Sequence, residues 1–196
     1  TKIKSDYYIR NNYLYITYNK MELNNLKRRV QQYKEIVENT TIYRQVWKDS
    51  LKTDIINQLA EIAKMIELNV VIMVRQEMEN LEAIIFSLGN EDSGLVHQED
   101  GKPPHALKKH NGSLIYQQLF NGKIVVMLQF PAIQGYGEPL PTRQVGIYRP
   151  EELTEAFFVK HIDEFLKEVT NWEDYDDDDN PSSHQIGFKV NFEEKE

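Results

Sequence analysis

An α+β domain on an antiparallel sheet is the fold class this sequence predicts, and three observations carry it. Residues 113–130 hold two strand-forming runs, Ser-Leu-Ile-Tyr-Gln-Gln-Leu-Phe and Lys-Ile-Val-Val-Met-Leu-Gln-Phe, joined by Asn121-Gly122, the pair that a tight hairpin turn asks for. Two long segments, 21–68 and 150–172, carry apolar residues at helical spacing. Short β-branched runs at 70–75, 81–88 and 143–148 supply the remaining strands. Together these give a meander of about five or more strands, packed by an N-terminal helical pair and a long C-terminal helix.

The first residues, 6–18, alternate in two bursts, Tyr7-Tyr8-Ile9 and Tyr13-Leu14-Tyr15-Ile16, around Asn11-Asn12. Asparagine tolerates the left-handed region, so a tight hairpin is expected here as well. The tyrosine cluster of Tyr7, Tyr8, Tyr13, Tyr15 and Tyr18 is read as strand formers that bury a ring and keep a hydroxyl wet, in preference to a stacking platform for bases or sugars.

From Met21 the period changes. Leu23, Leu26, Val30, Tyr33 and Val37 are spaced three, four, three, four and form a narrow helical stripe. Lys27, Arg28, Arg29 and Lys34 lie mostly off it and make a basic exposed side. Asn39-Thr40-Thr41 interrupts the pattern with residues that suit caps. A second helix then carries Trp47, Leu51, Ile55, Leu59, Ile62 and Ile66. The two helices are expected to form a hairpin, with one long bent helix as the alternative. If the seam meets another chain, it is a short coiled coil.

The central strands follow at 70–75, 81–88, 113–120, 123–130 and 143–148. A two-residue turn at Asn121-Gly122 sets Phe120 opposite Lys123 and Leu119 opposite Ile124. Ile115, Leu119, Ile124, Val126, Leu128 and Phe130 then form the core face, while Leu114, Tyr116, Phe120, Val125 and Met127, with Gln118, Lys123 and Gln129 among them, make a half-covered face. Two long loops, 89–112 and 131–142, leave the same end of such a meander. Pro150 in a first helical turn, with Glu151 and Glu152 at the positive end of the dipole, starts the last helix. Phe158, Ile162, Phe165, Val169 and Trp172 line its buried stripe, widened by Phe157 and Leu166, with His161 at its boundary. The domain plan is therefore a single α+β domain over 1–172, an acidic linker over 173–185, and a C-terminal strand and tail over 186–196 in which Ile186, Phe188, Val190 and Phe192 share a parity.

Composition bounds the function. The 196 residues, 40% hydrophobic and 28% charged, suit a globular domain, and no apolar run approaches the roughly 18 residues of a membrane span. No signal-peptide pattern opens the chain and it holds no cysteine, which removes disulfides and thiolate chemistry and fits a cytoplasmic setting. A net charge of −8 argues against a nucleic-acid partner. The charge is split: 13 Lys and Arg stand against 8 Asp and Glu through Arg75, and 10 against 23 after it, so the two parts are expected to pack in cis.

Function concentrates on loops that a rigid scaffold presents, which points to His97, His105, His110, Tyr136 and Glu138 as ligand- or partner-binding residues. A zinc reading of the three histidines with Glu99 or Asp100 is not favoured, because the spacings match neither a His-Glu-x-x-His helix nor a finger. Asp174 to Asp178 with Asn180 lacks the mid-loop glycine and final glutamate of a calcium loop. There is no nucleophile elbow, phosphate loop or dinucleotide fingerprint. The sequence thus assigns no catalytic residue, metal or cofactor. The expected function is a non-enzymatic interaction or assembly subunit that pairs with a protein partner or with itself through the helix seam and edge strands. Two other classes stand beside it: a small-molecule binding module with an apolar cavity between sheet and last helix, oriented by Gln117 and Gln118, and a hydrolase or metal-dependent enzyme using the two long loops.

Overall fold

The computed structural model describes residues 8–10, 13–15, 20–98, 101 and 103–174. The expected tail strand, the acidic linker beyond Asp174, Glu99 and Asp100 lie outside the described residues. The chain divides into two units, Thr1–Asn39 and Thr40–Glu196.

In the first unit, β1 (Tyr8–Arg10) and β2 (Tyr13–Tyr15) pair antiparallel with Ile9 opposite Leu14, the hairpin that Asn11-Asn12 suggests. Helix α1 (Lys20–Val46) begins here and passes into the second unit. It does not stop at Asn39-Thr40-Thr41. A π-helical segment, Trp47–Leu51, carries it directly into α2 (Lys52–Met65). The expected hairpin of helices is therefore one continuous run, because residues 20–65 contain no Gly or Pro, and side chains that merely suit a cap do not end a helix. Trp47, Leu51, Ile55 and Leu59 are spaced by four, which drifts around an α-helix by about 40° per step; the wider π turn at its start offsets that drift and keeps all four buried.

The second unit continues with β3 (Val71–Arg75), β4 (Ala83–Ser87), β5 (Asn90–His97), β6 (His105–His110), β7 (Ser113–Gln118), β8 (Ile124–Gln129), β9 (Ala132–Ile133), β10 (Arg143–Tyr148), a 3₁₀ turn at Pro150–Glu152 and α3 (Glu155–Glu173). Five strands form the expected antiparallel meander in the order β10-β8-β7-β4-β3, and β5, β6 and β9 form a second, three-stranded sheet. The 89–112 segment is thus not a loop. Leu88 N–H bonds to Gly112 O and Asn111 N–H to Gly89 O, so β4–β5 and β6–β7 are one two-stranded ribbon, bent where Gly89 and Gly112 both adopt positive φ. The turn-forming run Asn90-Glu91-Asp92-Ser93-Gly94 in β5, and the Lys and His residues of β6, kept this arm from reading as β structure.

The hairpin around Asn121-Gly122 exists, but its register differs from the expected one by one residue. Gln118 lies opposite Ile124, and Leu119 N–H bonds to Lys123 O. The loop is Phe120-Asn121-Gly122, in which Gly122 (φ 77°) takes the left-handed conformation and Asn121 does not. This is the three-residue turn with a glycine bulge, the next most common hairpin after the two-residue form. A one-residue slip exchanges the faces of a strand. The core face of β7 is therefore Leu114, Tyr116 and Gln118, opposite Leu128, Val126 and Ile124, and Ile115 belongs to the other face. Packing against α1 also requires a glycine here: a Cβ on Gly122 would lie 2.7 Å from Tyr43 Cβ and 3.1 Å from Thr40 O.

Both α2 and α3 pack on that core face. Ile84, Phe86, Leu114, Tyr116, Ile124, Val126 and Leu128 of the sheet meet Trp47, Ile55, Leu59 and Ile62 from one helix and Phe158, Ile162 and Phe165 from the other. Phe86 and Phe165 meet edge to face at 6.3 Å. The charge split has a local counterpart. Lys48 pairs with Glu79 at 2.6 Å and Lys52 with Glu82 at 2.9 Å, each joining the basic helix to the turn between β3 and β4. Glu82 also accepts the indole N–H of buried Trp47 at 3.0 Å. Burial pushes the Glu82 carboxyl up, yet the hydrogen bonds from Trp47 and Lys52 outweigh it and hold the group below its ordinary range.

Candidate functional site

Beyond the end of the sheet opposite the 76–82 and 119–123 turns lie the residues that the sequence singles out, spread over the β5–β6 arm, its bend and the segment after β9. β6 pairs with β9 through Lys109–Ile133 and His110–Ala132, and Gln134 N–H bonds to Lys108 O, so the two long segments form one surface. His97 and His105 face each other across the β5–β6 arm with ring centroids 5.4 Å apart. They line a cleft of about 410 Å³ with Ala106, Leu107, Lys108, Gln134 and Gly135. Lys108 is tied to Asp92 at 2.7 Å. Tyr136 follows in the turn after β9, its N–H on Ile133 O, and is exposed; Glu138 is an exposed loop residue outside the cleft lining.

His110 is separated from the other two histidines. It sits at the bend of the ribbon, where Gly112 N–H donates to its Nδ1 at 3.1 Å and Ser113 Oγ lies 3.2 Å from its Nε2. A nitrogen that accepts a backbone N–H carries no proton, so the proton of the neutral ring is on Nε2 and points at Ser113. That tautomer donates to the hydroxyl and cannot take its proton, so the pair is not a nucleophile and base in this form. Burial pushes the His110 pKa down, which keeps the ring neutral. Among the described residues no group of three His, Asp or Glu is placed to hold a metal ion, and no helix is long and apolar enough to cross a membrane.

A second polar cluster lies inside the core. His161, expected at the helix boundary, is fully buried, with Tyr116 Oη 3.0 Å from its Nδ1 and Tyr148 Oη 3.1 Å from its Nε2. A neutral ring has one donor and one acceptor nitrogen. The arrangement that satisfies both buried groups has Tyr116 donating to Nδ1 and Nε2–H donating to Tyr148, whose own proton faces outward from a half-buried position. Burial lowers the His161 pKa from 6.5 to about 4 and raises those of both tyrosines. A register shift in β10 between Gln144 and Gly146 aims Tyr148 at this site, its hydroxyl folded back to 2.7 Å from where a Gly146 Cβ would sit. The signal was present in the sequence, since Phe158, His161 and Phe165 keep the three-four spacing of the stripe. Gln118, two residues from Tyr116 on the same face, is fully buried with neither amide atom hydrogen-bonded among the described residues, while Gln117 faces the other way.

No protein-family model, curated protein or solved structure matches the chain.

Among the described residues, α1 carries more exposed large apolar side chains than any other element. Leu23, Leu26, Val30 and Tyr33, the stripe that the period identified, are 40%, 57%, 45% and 68% exposed, and Val37 continues it at 48%. A stripe at this spacing is the geometry of a coiled-coil seam, with Leu23, Val30 and Val37 at one core position of the heptad and Leu26 and Tyr33 at the other. Residues 21–39 of the helix are exposed on every side.

Proposed function

We propose that this chain is a non-enzymatic interaction subunit that recruits a helical partner through the exposed stripe of α1, with the sheet domain as the body that the helix attaches to its assembly. The observation that supports this most directly is the exposure of four consecutive seam residues, Leu23 to Tyr33, on a helix of 27 residues. Isolated apolar side chains at a surface are ordinary, but an ordered row at heptad spacing is not. Burying such side chains is worth about 1.5–3 kcal/mol each. The row therefore carries enough free energy to hold a second helix. The edge strand β3, whose Val71, Met73 and Val74 are also exposed, adds a second apolar element of the same character.

The test is a paired substitution, Leu26→Asp with Val30→Asp, in the full chain. Native mass spectrometry and light scattering of material purified from its source, alongside the variant, report the assembly. The variant is expected to lose bound partner while its melting temperature stays within about 2 °C, because neither side chain is buried in the chain itself. A variant that retains its partners in full defeats the proposal.

A further inference from the structure

The charges beside the seam say what kind of helix fits it. With Leu23 and Val30 at position a and Leu26 and Tyr33 at d, the flanking e and g positions fall to Glu22, Lys27, Arg29 and Lys34, all exposed. Three of the four are cations, and each lies where a partner helix would bring its own flanking residue.

A second copy of the chain meets this arrangement badly. In a parallel pair each g residue faces the e residue five positions on in the other helix. Glu22 then faces Lys27 of the second copy, which is favourable, but Arg29 faces Lys34, which is not. In an antiparallel pair e faces e and g faces g, so Lys27 meets either Lys27 or Lys34 of the second copy, and one of these registers also sets Arg29 against Arg29. Like charges across the seam act as a penalty on the wrong partner. A single narrow stripe of this kind is the seam of a two-stranded contact, so the groove takes one helix.

We infer that the partner of α1 is a single amphipathic helix from another protein, with an apolar seam flanked by Glu or Asp, and that the cations Lys27, Arg29 and Lys34 select it over a second copy of this chain. This rests on the reading of α1 as a docking helix. The seam from Leu23 to Val37 is about 21 Å long, close to two heptads, at 1.5 Å per residue. So short a seam relies on its flanks for discrimination.

The experiment uses the full chain and two synthetic peptides of four heptads, both with Val at a and Leu at d, one with Glu at every e and g position and one with Lys. Fluorescence anisotropy at low salt is expected to show at least tenfold tighter binding of the Glu peptide. The triple variant Lys27→Glu, Arg29→Glu, Lys34→Glu should reverse the preference. Raising ionic strength from about 0.05 to 0.5 M should narrow it several-fold by screening. Equal binding of both peptides overturns the inference while leaving the docking helix standing. So does a concentration-dependent doubling of mass by the chain alone that Leu26→Asp abolishes. Binding of neither peptide, in a chain that stays monomeric, overturns both the inference and the proposed function.

Discussion

His161 makes stability depend on pH over a window that ordinary carboxylates do not cover. The ring is buried and neutral with a folded-state pKa of about 4, against 6.5 when exposed. A depressed histidine pKa means that the unfolded chain binds a proton that the folded chain refuses, so stability is complete above 6.5 and is lost as the pH falls towards 4. The full difference, at ~1.4 kcal/mol per pH unit, is about 3 kcal/mol. About 2 kcal/mol of it is already lost at pH 5, where the unfolded histidine is almost wholly charged and the folded one is not. The charged groups around the ring are Glu164, which favours protonation, and Lys160, which opposes it, and the two tyrosines donate and accept on either side. Urea midpoints measured every half unit from pH 7.5 to 4.5, for the native chain and for His161→Asn, separate this group from the carboxylates. The native curve should fall by about 2 kcal/mol more than the variant curve between pH 7 and 5. Curves that stay parallel across that range would show that the imidazole is not held neutral by its surroundings, and the Tyr116–His161–Tyr148 arrangement would have to be drawn differently.

Three further outcomes follow from packing. Gly122→Val should cost about 2–4 kcal/mol in urea, since it adds a β-branched side chain in the left-handed region and drives Cβ into Tyr43; a midpoint within experimental error of the native one counts against the three-residue turn. Gln118→Met removes two buried amide atoms that lack hydrogen-bond partners among the described residues and should stabilise by about 1–3 kcal/mol, a gain that differential scanning calorimetry resolves. Lys109 joins Glu91 at 2.9 Å and Glu173 at 2.7 Å and lies over the Trp172 ring, so Lys109→Met should raise amide exchange in β5 and β6 by tenfold or more with little effect on β7 and β8; uniform exchange across both sheets would deny it that anchoring role.

Much of this architecture is legible in residue spacing. Asn121-Gly122 announced the central hairpin, and Phe158, Ile162 and Phe165 announced the face of α3, because turn chemistry and apolar period are local properties. What failed was non-local. Asn-Gly suits more than one hairpin loop, and the pair itself carries no signal for the longer one; the close approach of Tyr43 and Thr40, far away in sequence, adds a further reason for glycine at 122 that no local pattern reveals. The continuous helix is obscured by Asn39-Thr40-Thr41, whose side chains suit a cap although no breaker accompanies them. The polarity of His161 suits a helix boundary although its position is in the stripe, and the two tyrosines that complete its site come from different strands. Of the loop-end residues, His97 and His105 do meet, while His110 is engaged with the ribbon's own backbone at the bend. No spacing rule separates those two fates.

The bent ribbon bears on how the sheet is assembled in time. Ser87 and Ser113 end up opposite each other in the middle of the meander although some 25 residues of chain separate them. Were the intervening segment unstructured, the first contact between β4 and β7 would have to close that whole span at once, with the entropy of the loop set against a single pair. The β5–β6 arm changes the order of events. Pairing that starts near His97 and His105 closes only a short span, and each further pair then adds only a few residues, past the irregularity between Asp92 and Val96, towards Gly89 and Gly112 and through the bend into the main sheet. What adds length to the chain thereby lowers the sequence separation that the slow step must bridge, and a chain with residues 90–110 replaced by a flexible linker of equal length should fold more slowly than one with the arm intact.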